Sequence, residues 1–65
     1  MIIVNGVEQD LPEKSRLDEF LHVQGFKADR VVVEINRTIV PRHTYADVTI
    51  KDGDSLEILN FVSGG

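Results

Sequence analysis

A chain of 65 residues with 42% hydrophobic content and no cysteine has room for one domain, held together by apolar packing alone. Eleven acidic residues against seven basic ones leave a net charge of −4, which argues against a nucleic-acid partner, because phosphate contacts need a basic stripe. No apolar run reaches a membrane span and no signal-like stretch opens the sequence, so the expectation is a cytoplasmic protein with no membrane partner.

Met1-Ile2-Ile3-Val4 is a β-branched run followed by Asn5-Gly6 and then Val7 to Leu11. Asn-Gly between two such runs signals a hairpin, because a type I′ turn needs positive φ at both central positions. Pro12 ends the second strand, since it has no N–H to give to a ladder. Ser15 is the expected N-cap of a helix from about Arg16 to Gln24, with Asp18 near its positive end. Leu17, Phe20 and Leu21 share one face of that helix. Gly25 supplies a left-handed exit, and Phe26 can fold back on Leu21. The helix is apolar on one side only and needs a sheet to lie on.

After a polar connection at Lys27-Ala28-Asp29-Arg30, Val31 to Ile35 reads as a third strand. Asn36-Arg37 makes a second two-residue turn, and Thr38-Ile39-Val40 returns antiparallel before Pro41. Arg42 to Val48 is irregular, with one helical turn around Tyr45. Asp52-Gly53-Asp54 is a turn that launches the last strand, Ser55 to Phe61. Alternation there puts Leu56 and Ile58 on one face and Glu57, Leu59 and Phe61 on the other.

The order is therefore strand, strand, helix, strand, short strand, strand. One helix covers one sheet face, which makes the class α+β. A crossover through the helix lets the first and last strands lie parallel in the middle, as in the β-grasp fold of ubiquitin. The domain is assigned to residues 1–61, and residues 62–65 to a flexible tail.

That tail closes on Gly64-Gly65 with no Cβ on either residue. Such an end fits a narrow channel and presents its carboxylate unhindered. A terminal α-carboxyl group titrates at roughly 3.3–3.7, so at neutral pH Gly65 is an anion and a poor electrophile. Ordering about four tail residues costs on the order of 4–8 kcal/mol, so a docking surface on the folded body should assist the tail. Leu59 and Phe61 are the candidates for that surface, together with Val62, Ser63 and Gly64 as partner-binding residues.

Glu34-Ile35-Asn36, Ile39-Val40-Pro41-Arg42, Tyr45, Lys51-Asp52-Gly53-Asp54 and the final Gly64-Gly65 together resemble the sulfur carrier proteins of thiamine biosynthesis, the ThiS family. The Asn5-Gly6 hairpin and the Leu17/Leu21 helix fit as well. Arg37 departs from the pattern, where a small or flexible residue is expected after Asn36.

The resemblance implies a ubiquitin-like β-grasp with a mixed sheet of about five strands in ββαββ order and one helix packed on one face. It also implies a chain that is not an enzyme and binds no permanent cofactor. Gly65 would be converted to an acyl adenylate by an adenylating partner that uses ATP and Mg, then to a thiocarboxylate with sulfur from a persulfide donor. Thiazole synthase would consume that sulfur. The chain itself would be a monomer when free.

Other readings stay open on the residues alone. They are a small subunit of molybdopterin synthase, a ubiquitin-like modifier, and a β-grasp module binding RNA or a small ligand. His22 and His43 lie on different elements without ligand spacing, so no metal site is expected there. Asp52 and Asp54 lack the further oxygen ligands of a calcium loop and read as turn residues.

Overall fold

The computed structural model describes residues 1–13 and 15–61. Five strands form one mixed sheet: β1 (Ile2–Val4), β2 (Val7–Gln9), β3 (Val31–Ile35), β4 (Thr38–Ile39) and β5 (Ser55–Asn60). A single α-helix, α1 (Leu17–Val23), lies between β2 and β3 in sequence. Short 3₁₀ turns occupy Ala28–Arg30 and Arg42–Asp47. The sheet order is β2-β1-β5-β3-β4, with β1 and β5 parallel and the other pairs antiparallel. The last strand is central, as the crossover argument requires, and the complete order is ββαβββ.

Alternation explains the core. Ile2, Val4, Val31, Val33, Leu56 and Ile58 all point to one sheet face and pack in one cluster with Leu17, Phe20 and Leu21 of α1. Tyr45 and Ile50 complete the cluster from the long connection before β5. Tyr45 is buried, and its hydroxyl donates to the Val31 carbonyl at 3.4 Å, so the 3₁₀ turn closes one end of the core. Burying each of these large apolar side chains contributes about 1.5–3 kcal/mol, which has to suffice in a chain without disulfides.

The hairpin turns follow from their residues. Asn5 and Gly6 take φ of 51° and 83°, both positive as a type I′ turn demands. Asn36 and Arg37 do the same at 52° and 70°, so an arginine sits in the left-handed region. The exit from α1 is a Schellman motif. Gly25, at φ 87°, donates to the His22 carbonyl at 3.1 Å, and Phe26 donates to the Leu21 carbonyl at 2.9 Å.

Other details correct the sequence reading. The helix N-cap is Arg16 rather than Ser15, and it makes no side-chain cap bond. The Ser15 hydroxyl instead donates to the Pro12 carbonyl at 3.2 Å. The first turn is held from outside: Leu17 N–H donates to the Val48 carbonyl at 2.8 Å and Ile50 N–H to the Ser15 carbonyl at 2.7 Å. A backbone partner has replaced the side-chain cap, so the helix starts one residue later than its sequence suggests. Strands β2, β4 and β5 end at Gln9, Ile39 and Asn60, short of the predicted Leu11, Val40 and Phe61, although Val40 and Phe61 each still donate one backbone bond to β3 or its flank.

Arg16 Nε donates to Asp18 at 2.6 Å, and that hydrogen bond holds the Asp18 carboxyl below its ordinary value. A depressed carboxyl stabilises the fold above its unfolded pKa and loses that contribution as pH falls through the folded one. The pair is exposed, so solvent screens most of its effect. Among the described residues no helix is long and apolar enough to cross a membrane.

Asn5 also works outside its turn. Its Nδ2 donates to the Ile58 carbonyl at 3.2 Å, and Ile58 N–H donates to Asn5 Oδ1 at 2.7 Å. Replacing Asn5 by glycine keeps the turn geometry but removes both bonds, for an expected loss of about 1–3 kcal/mol in chemical denaturation. Asn5→Ala should lose about 1 kcal/mol more, because alanine is strained at positive φ. Arg37→Gly should gain ~0.5–1 kcal/mol in the same measurement, as relief of left-handed strain exceeds the added freedom of the unfolded chain.

Candidate functional site

The site expected at the end of the chain is reached through β5. On one side β5 pairs with β3 over five positions, from Val31↔Asn60 to Ile35↔Leu56. Phe61 N–H donates to the Arg30 carbonyl at 3.1 Å, which carries the pairing one residue beyond the strand. On the other side β1 pairs only at Ile3↔Ser55 and Val4↔Leu56, and the Asn5 side chain occupies the next position, Ile58. β5 therefore runs past the end of β1 and stays bonded to the β3 side of the sheet as far as Phe61. Val62, Ser63, Gly64 and Gly65 lie outside the described residues.

Leu59 and Phe61 stand where alternation places them, on the sheet face away from α1. They are 55% and 40% exposed, whereas Leu56 and Ile58 on the other face are buried. Leu59 lies directly opposite Val32 of β3. Val32 is the residue that sequence reasoning missed. In the run Val31-Val32-Val33 the outer two valines fill the core, so the middle one necessarily faces out. An apolar residue at an outward parity is the signal that marks it.

The next pair along the same ladder is Glu34↔Glu57, and Ile39 of β4 lies opposite Glu34. Glu34, Asn36, Arg37, Ser55 and Glu57 line a depression at this end of the open face. Its floor is ordered by turn chemistry. Ser55 N–H donates to Asn36 Oδ1 at 3.0 Å, Asn36 Nδ2 donates to Asp54 Oδ1 at 3.0 Å, and Lys51 N–H donates to Asp54 Oδ2 at 2.8 Å. Asp54 is thus committed to joining two turns. Among the described residues no three His, Asp or Glu side chains are grouped to hold a metal ion.

What the described site offers is a surface: Val32, Leu59 and Phe61 form an apolar strip that ends at Phe61, the last described residue. Val32, Leu59 and Phe61 carry no group that can activate a nucleophile or move a proton, so the strip is a contact surface rather than a reactive one.

Comparison with known proteins agrees with this architecture. A family model described as "ThiS family" matches residues 2–65. The thiazole synthase of Paramagnetospirillum magneticum is 38% identical over 64 residues, which are 98% of this chain and 20% of that protein. The thiazole synthase of Magnetococcus marinus is 33% identical over the same length and share. The chain thus spans about a fifth of the length of these curated relatives. A crystal structure of the thiamine biosynthesis protein ThiS from Geobacter metallireducens is 34% identical, with a TM-score of 0.75, covering 98% of this chain and 97% of that one. A family model that runs through the last residue and a solved fold matched from end to end lead to one assignment: this chain belongs to the ThiS family.

Proposed function

We propose that this chain is a sulfur carrier for thiamine biosynthesis and that its Gly65 carboxylate carries the sulfur. The observation behind the reading is the family match, which extends through Gly64-Gly65. The fold adds a reason: a strand anchored in the core by Leu56 and Ile58 delivers the chain to that end.

The chemistry follows from what a carboxylate lacks. Gly65 as an anion resists attack by sulfur, so a partner using ATP and Mg first activates it. A carboxylate oxygen attacks the α-phosphorus and expels pyrophosphate, leaving an acyl adenylate. Persulfide sulfur then attacks the acyl carbon, and AMP leaves. A thiol cleaves the resulting S–S bond, and the thiocarboxylate remains on Gly65. Thiazole synthase accepts this sulfur. With no cysteine in the chain, the carrier has no thiol of its own to compete with that end. The chain acts as a co-substrate rather than a catalyst, and the cycle belongs in the cytoplasm, where ATP is at hand.

The Val32, Leu59 and Phe61 strip offsets part of the tail's ordering cost by docking the body first. Incubation with the adenylating enzyme, ATP and a persulfide donor should raise the intact mass by the difference between sulfur and oxygen, mapped to Gly65. A residue appended after Gly65, or loss of Gly64-Gly65, should abolish that gain and leave the thermal midpoint unchanged. Sulfur loading of either variant would refute the assignment. Leu59→Ser with Phe61→Ser should raise the KM for the carrier in this reaction by about tenfold or more, with the unfolding transition nearly unmoved.

A further inference from the structure

The open face of the sheet is zoned. Along the β3/β5 ladder, Arg30 stands opposite Phe61, Val32 opposite Leu59, Glu34 opposite Glu57, and Asn36 opposite Ser55. Hydrogen bonds at both ends, Phe61 to Arg30 and Asn36 to Ser55, set the phase of the ladder and make Glu34/Glu57 a hydrogen-bonded pair between them. Two carboxylates directly across an antiparallel pair repel, and the arrangement opposes folding. The fold does not neutralise them. The ion pairs among the described residues involve Met1 with Asp52 and Arg16 with Asp18 and Glu19, and none reaches Glu34 or Glu57. Arg37 lines the same depression without pairing to either carboxylate. Glu8, opposite Ile3, adds a third carboxylate to this face.

We propose that Glu34 and Glu57 form a charge key for the acceptor enzyme, thiazole synthase, which places an Arg or Lys side chain between them while its apolar surface covers Val32, Leu59 and Phe61. The inference rests on the carrier reading above and adds to it a surface and a partner chemistry. Three observations favour this occupant. Among the described residues neither carboxylate is ion-paired, so a basic surface would complement them. They border the apolar strip directly, and the strip ends at Phe61, four residues before Gly65 in sequence, so one partner can hold the carboxylates and the strip together. Two thiazole synthases carry a segment resembling this chain within their own sequence, which is the arrangement expected of two bodies that work against each other.

A residue kept for binding and a residue kept for folding respond with opposite signs here. The double variant Glu34→Gln, Glu57→Gln in the full chain removes the repulsion, so its thermal midpoint should rise by a few degrees. Its affinity for the thiazole synthase of the same organism, measured by calorimetry, should fall about tenfold, and most of the salt dependence of binding should disappear. Glu13→Gln, which removes one carboxylate beside Phe20 and Val23 on the helix side, should leave affinity unchanged, whereas each single change, Glu34→Gln or Glu57→Gln, should lower it. A rise in midpoint with unchanged affinity would make the two carboxylates a solvated repulsive pair and overturn the proposal. A fall in midpoint would overturn it too, as would self-association of the chain through this strip or wild-type chain that does not bind the synthase. Sulfur loading of the wild-type Gly65 is read in parallel. If loading succeeds and the variant still binds like the wild type, only the charge key is lost; if loading fails, the carrier reading falls and takes the key with it.

Discussion

The last strand of this chain has to lie in the middle of its sheet, and the rest of the structure depends on that placement. Leu56 and Ile58 reach the core only if β5 is flanked on both sides, by β1 in parallel and β3 antiparallel. A parallel neighbour cannot be joined by a tight turn and needs a crossover, which is the work of α1. The helix in turn covers the face where Ile2, Val4, Val31 and Val33 are exposed by the same alternation. Sequence start, helix and sequence end are thus fixed by one requirement. Its consequence is that Phe61, one residue past the last strand, is still bonded to the sheet.

Two asparagines manage the ends of this central strand. Asn5 turns β1 away and offers its side-chain amide to Ile58 in place of another strand residue, so the β1/β5 pairing ends cleanly without an orphaned N–H. Asn36 performs a similar task at the start of β5, accepting from Ser55 and donating to Asp54. Each sits at positive φ, where asparagine is better tolerated than other side chains. The same residue type therefore makes the turn and satisfies the backbone of a strand distant in sequence. That second role is invisible in a local pattern.

Elements governed by short-range periodicity were legible in the sequence. The two hairpin turns, the apolar face of α1, the glycine exit at Gly25 and the two faces of β5 follow from spacing and turn chemistry alone. What escaped was set by distant partners. Ser15 has every property of an N-cap, yet the first turn of the helix is held by the backbone of Val48 to Ile50. Tyr45 sits in a polar stretch without apolar periodicity, and its burial depends on Val31 across the fold. Val32 was concealed by its neighbours, because within a run of three valines only the parity it shares with Glu34 marks its side, and its place beside Leu59 needs the register. Of the candidate site, Leu59 and Phe61 were readable from alternation, while Val32 and the facing carboxylates required the strand pairing.

The local rules that favour stability are broken in one region more than elsewhere. Leu59, Phe61 and Ile39 leave apolar surface on the open face beside the half-buried Val32, Glu34 confronts Glu57, and Arg37 takes a strained conformation at the edge of the same depression. A small domain without cross-links has little stability to spare, so such departures accumulate only where something other than folding selects them. The helix side provides the contrast. There Val23 of α1 is exposed too, but His22 sits in the last turn and the helix exit is closed by the Gly25 and Phe26 backbone bonds. The departures thus gather on the open face, where Leu59 and Phe61 share one side of the sheet with Glu34 and Glu57.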